Sequence, residues 1–114
     1  MVVAGRLVPL EDEDSWQTWV EDVADRFRWR HYHTRSSKGS DPGFPDLCLV
    51  RPPRLIYAEL KTDSPRSRLS ADQRAWADDL EAVGDATYAA AGVRVPEWYV
   101  WRPRDRALIL EVLA

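Results

Sequence analysis

A single cysteine, Cys48, is the only thiol in this chain, and it sits inside an apolar run. One thiol can neither close an intramolecular disulfide nor build a cysteine metal cluster, so Cys48 reads as a small core residue. Histidine is scarce as well: His31 and His33 stand alone, without further ligands at zinc spacing. No apolar run approaches the ~20 residues of a membrane span. The N-terminal apolar stretch is too short for a signal peptide. The expectation is an intracellular protein that makes no use of a membrane. Repeats, low-complexity tracts and domain boundaries are also missing, so residues 1–114 read as one domain with a modest core.

What is present is a globular composition, 45% hydrophobic and 31% charged. The net charge of −3 is a weak argument against a nucleic-acid partner, but the charges are unevenly spread. Residues 11–25 carry seven acids and no base. Residues 26–54 carry seven bases (Arg26, Arg28, Arg30, Arg35, Lys38, Arg51, Arg54) against Asp41 and Asp46. A local basic surface can hold phosphates on an acidic protein.

Periodicity predicts the elements. Trp16, Trp19, Val20, Val23, Ala24 and Phe27 recur at helical spacing, which predicts a helix over about 12–27. "WRHYHT" (29–34) alternates like a strand, and "RSSKGSDPGFP" (35–45) is a loop by composition. Strands are expected near 46–51 and 54–61. "LSADQRAWADDLEAVG" predicts a second helix with Trp76, Leu80 and Val83 inward and Gly84 as its stop. Residues 85–96 are ambiguous, "WYVW" (98–101) is a strand ended by Pro103, and "ALILEVL" (107–113) is a closing helix. Helix, three strands, helix, strand, helix implies an α/β sandwich with one mixed sheet.

The two central strands raise a chemical question. With a turn at Pro52–Pro53 and Arg51 opposite Arg54, Asp46 falls opposite Glu59. Directly opposed Cβ atoms lie ~4.5–5.5 Å apart, and like charges so placed destabilise a hairpin unless a cation compensates. Carboxylate oxygens suit Mg²⁺ or Mn²⁺. Lys61, two residues beyond Glu59, projects from the same face. Pro–Pro cannot adopt the φ > 0 geometry of the usual two-residue loop, and a slip of one residue would send the acids to opposite faces.

Other residues carry two readings each. Acids in a first helical turn complement the helix dipole, which accounts for Glu11, Asp12 and Asp14; Glu13 alone is in phase with the buried stripe. Ser70 and Gln73 form a capping box, yet Gln73 is also in phase with Trp76 and Leu80 and can point towards a polar site. His31 and His33 share a strand face and fit packing among aromatics, or His33 meets a phosphate together with Arg35 and Lys38. The six tryptophans read mainly as core rather than as base-stacking platforms.

Pro45–Asp46 followed by Glu59–Leu60–Lys61 resembles the PD-(D/E)XK nuclease pattern. More narrowly the chain resembles the VRR-NUC family. The residues that carry the likeness are Glu13 with Trp16 and Gln17, Gly43 to Asp46, then Leu69, Ser70, Gln73, Trp76, Leu80 and Gly84. Val100 to Asp105 is similar to the ending of small phage and bacterial members. The likeness spans about residues 13–105, and residues 85–97 are longer than it leads one to expect.

The resemblance implies an αβββαβ restriction-endonuclease-like core and metal-dependent hydrolysis of DNA phosphodiesters. It implies Mg²⁺ or Mn²⁺ held by Asp46, Glu59 and the Leu60 carbonyl, with Glu13 completing the site directly or through water. Lys61 would orient the attacking water, and Gln73 would position Lys61 or that water. His33, Arg35 and Lys38 would touch DNA. A cytoplasmic, prokaryotic or phage-encoded homodimer acting on branched DNA, such as four-way junctions or flaps, is the resulting expectation. The rivals are a non-catalytic branched-DNA-binding module on the same fold, and a structural subunit whose charges are merely solvated.

Overall fold

The computed structural model describes residues 12–35 and 41–114, together with the backbone of 2–3 and 6–7. At the N-terminus, β1 (Val2–Val3) and β2 (Arg6–Leu7) pair antiparallel. The first helix, α1, spans Glu13–Arg26, and Asp12 caps it by accepting from the Ser15 N–H at 2.7 Å. Three strands follow: β3 (Arg30–His33), β4 (Leu47–Arg51) and β5 (Arg54–Leu60). Helix α2 (Ala71–Ala91) leads to β6 (Glu97–Trp101), a 3₁₀ turn at Pro103–Asp105, and α3 (Arg106–Leu113). The order of elements is the expected one.

The main sheet runs β3-β4-β5-β6, antiparallel except for the parallel β5–β6 pair. Its alternating pattern sends Leu47, Leu49, Ile56 and Ala58 to one face. There they bury against Trp16, Val20, Val23 and Ala24 of α1 and Ile109 and Leu113 of α3. Full burial of each large apolar side chain contributes ~1.5–3 kcal/mol. None of the six tryptophans is exposed. Two of them also tie distant elements together: Trp16 Nε1 donates to the Trp101 carbonyl at 3.1 Å and Trp29 Nε1 to the Leu113 carbonyl at 2.9 Å. Cys48 is half-buried on the other face, and burial raises its thiol pKa.

The hairpin has the expected register, Arg51 opposite Arg54 and Leu47 opposite Ala58. The Pro52–Pro53 bond is cis, and neither proline has φ > 0. The opposed arginines, which the basic block includes, are engaged within the protein. Arg51 donates to the carbonyls of Phe27, Leu113 and Ala114, and Arg54 to the Val112 carbonyl and both Glu97 oxygens. Both guanidiniums lie over the Trp29 ring, 4.6 and 5.0 Å from its centroid. Their charges meet the C-terminal, electronegative end of α3.

The second helix departs from expectation. It does not stop at Gly84 but runs to Ala91 and is capped by Gly92, because residues 85–91 are largely good helix formers. That accounts for most of the long connection. Its buried positions are Ala77 and Gly84, with Trp76 and Leu80 half-buried and Val83 52% exposed. Gly84 is a contact residue: a Cβ there would stand 2.6 Å from the Pro96 carbonyl oxygen. Gly84→Ala gains helix propensity, about 1 kcal/mol, but must push the β6 approach outward, at a typical cost of about 1–3 kcal/mol. A net fall in melting temperature is expected in a thermal scan; an unchanged or raised value would show that the segment yields freely.

Candidate active site

The ladder between β4 and β5 ends at Leu47–Ala58, one pair short of Asp46 and Glu59. Beyond it the Asp46 side chain takes over from the backbone: its Oδ2 accepts the Leu60 N–H at 2.8 Å. Thr34 holds the other side of the same bend, donating its N–H to the Asp46 carbonyl at 2.8 Å and its hydroxyl to the Pro45 carbonyl at 2.7 Å. Asp46 is thereby aimed at Glu59 with little freedom.

Glu59 is the one buried charged residue among those described, with 2% of its surface exposed. Burial, then a hydrogen bond to Asp46 and the repulsion of its charge, push the Glu59 carboxyl up from 4.5 to about 9; Lys61 opposes this weakly. Without a cation in the site, Glu59 therefore keeps its proton at neutral pH and shares it with Asp46. This is the ordinary outcome when two carboxyls share a dry site.

Gln73 caps α2 and also points into the polar site. Its backbone and side chain complete the capping box with Ser70, at 3.1 and 2.8 Å. The same side chain donates Nε2–H to Glu59 Oε1 at 3.1 Å. Two features seat α2 so that this is possible. Gly43 has φ +86°, and a Cβ there would fall 2.4 Å from the Asp72 carbonyl carbon. Phe44 wedges edge-on between Tyr57 and Trp76, with centroids 5.8 and 5.0 Å away. Gln73→Glu keeps an acceptor for the cap but removes the N–H given to Glu59. A melting temperature close to wild type with about a tenfold or larger loss of activity is expected; retention of full activity would reduce Gln73 to a cap.

A cavity of about 370 Å³ gathers Glu13, Asp46, Glu59, Leu60, Lys61, Gln73 and His33. Asp14, Trp16, Gln17 and Thr34 complete its wall. Gln17, which carries the family likeness together with Glu13, lies one helical turn after it on the same face and so reaches the wall. Thr34 had no signal in the sequence, since its role depends on a bend formed by a distant segment. Glu13 is exposed at the rim. Among the described residues no three His, Cys, Asp or Glu side chains cluster closely enough to hold a metal ion. His31 lies outside the cavity and pairs with Asp25 at 2.8 Å. Arg35 is exposed two residues beyond His33 and is not part of the wall, and Lys38 lies outside the described residues.

A mixed four-stranded sheet flanked by helices, with acid, acid and lysine where its central hairpin opens, has the architecture of the restriction-endonuclease-like domains. Residues 7–100 match the model of the VRR-NUC domain, and the chain belongs to that family, a nuclease branch of the PD-(D/E)XK superfamily. No match is found among curated proteins or among solved structures. No helix among the described residues is long and apolar enough to cross a membrane.

Proposed function

We propose that this chain is a Mg²⁺- or Mn²⁺-dependent DNA endonuclease that prefers branched DNA such as flaps or four-way junctions. The observation that carries the reading is Glu59: a carboxyl sealed from water beside a second carboxyl, within the same cavity as Lys61. Such a pair costs stability, and an apolar pair would pack there more cheaply. Paired titratable groups with a strongly shifted pKa in a cleft are the usual mark of a working site.

The donor set fits a hard divalent cation: two carboxylates and the Leu60 carbonyl offer oxygen only. With two rather than three clustered side chains, Glu13 contributes through water. When bound, the cation polarises the scissile phosphate and acidifies a water molecule. The chain's own residues do the rest. Gln73 fixes the rotamer of Glu59, and Asp46 is fixed by the Leu60 N–H. The Lys61 ammonium orients the attacking water and offsets charge developing on the phosphate oxygens. His33 lines the cavity wall where the DNA would enter.

The same reading includes a homodimer, since one site cuts one strand and both strands of a branch need two. Ile109 and Leu113 are spent in the core, but Leu108 and Leu110 remain 52% and 37% exposed on α3. Light scattering should give twice the monomer mass; a monomer mass with branched DNA present would exclude the dimer.

The test is a panel of radiolabelled flap, fork, four-way junction, single-stranded and duplex DNAs with Mg²⁺ or Mn²⁺. Cleavage of a branched member, abolished by EDTA, is expected. Full activity in EDTA would refute metal dependence, and tight binding without any cutting would leave only a DNA-binding module.

A further inference from the structure

A second groove, about 570 Å³, is lined by Arg68, Arg74, Arg102 and Arg104. Among the described residues its one acid is Asp105, whose Oδ2 already accepts the Arg102 N–H at 2.9 Å. The four cations come from three segments of the chain, which the fold brings together. Arg102 donates to the Thr62 carbonyl and Arg68 to the Pro65 carbonyl, so two of them are pinned in place. Arg74 and Arg104 are exposed, and their guanidiniums make no hydrogen bond or ion pair among the described residues. Like charges that converge without partners raise the free energy of the bare protein and attract an anion.

Residues of the groove are neighbours in the chain of residues that build the active site. Arg74 follows Gln73, whose side chain holds Glu59. Arg102 follows Trp101, whose carbonyl accepts the Lys61 N–H at 3.0 Å, and Arg102 itself grips Thr62, next to Lys61. A strand with its reacting phosphate at Lys61 would run its neighbouring phosphates past these residues. Guanidinium forks match phosphate oxygens bidentately.

We propose that this groove is the track for the DNA backbone on one side of the cleavage point, taking phosphodiester groups next to the scissile one. The proposal rests on the nuclease reading. It moves the main backbone grip from the loop after β3, where Arg35 and Lys38 were expected to hold it, to the start of α2 and the turn after β6.

The experiment is fluorescence anisotropy of a labelled flap DNA in EDTA, across the range of about 50 to 200 mM salt. The proteins are wild type, Arg74→Ala/Arg104→Ala and Arg74→Lys/Arg104→Lys. Each phosphate contact contributes ~0.9 to the slope of log affinity against log salt. The alanine pair should lower that slope by about two units with an unchanged melting temperature, and the lysine pair should restore most of it. An unchanged slope in the alanine pair, with wild type still cutting DNA in Mn²⁺, would overturn the track and leave the nuclease standing. Wild type that neither binds nor cuts DNA would overturn both.

Discussion

Glu59→Gln should yield a protein that cuts no DNA yet is more stable than wild type when metal-free at mildly alkaline pH. Glutamine has the shape of the protonated carboxyl: it can donate to Asp46 and still accept from Gln73, which reaches Glu59 at 3.1 Å. The wild-type folded state keeps the Glu59 proton up to about 9, while the unfolded chain releases it near 4.5. Folding thus takes up a proton between those values. The metal-free protein loses stability as pH rises through that window, and the loss levels off above about 9. Glutamine removes this slope, so a gain of at least about 1 kcal/mol at pH ~8 is expected from chemical denaturation. Mn²⁺ should raise the melting temperature of wild type at that pH but not of the variant. A glutamine variant that is less stable throughout, or one that still cuts, would contradict the assignment of Glu59 as the buried, protonated half of the site.

Lys61→Ala should have the next largest effect. Removing one preorganised group aimed at developing charge typically costs ~10²–10³ in turnover. The ammonium also holds the Glu59 pKa down. Its loss should therefore shift the pH needed for full metal loading upward as well as slow the chemistry. Lys61→Arg should rescue poorly, because a planar fork does not replace a compact ammonium. Single-turnover cleavage across a pH series separates the two effects. A near-normal plateau rate in Lys61→Ala would remove the lysine from the mechanism.

The hairpin and its acids were legible because alternation is a local property: once Pro52–Pro53 is the turn, the partner of every β4 residue follows. Asp46 and Glu59 could be paired on paper for that reason. Gly84 was misread because the same residue serves as a helix stop and as a point of close approach. Only the position of Pro96, twelve residues away, decides between them. Val83 continues the spacing of Trp76 and Leu80, yet the helix turns it outward. Arg51 and Arg54 were counted with a basic surface because their partners, Trp29 and the last turn of α3, lie far off in the chain. The arginine groove escaped notice for the same reason, being assembled from separate segments.

Asp46 and Glu59 together would form the metal centre by exchanging a proton for a cation. Calorimetric titration of Mn²⁺ into the metal-free protein at pH ~8, in two buffers of different ionisation enthalpy, tests it most directly. Mn²⁺ is expected to bind wild type with release of about one proton, and not to bind Asp46→Ala of wild-type fold. Mn²⁺ binding of equal strength to Asp46→Ala, or binding to wild type without proton release, would contradict it.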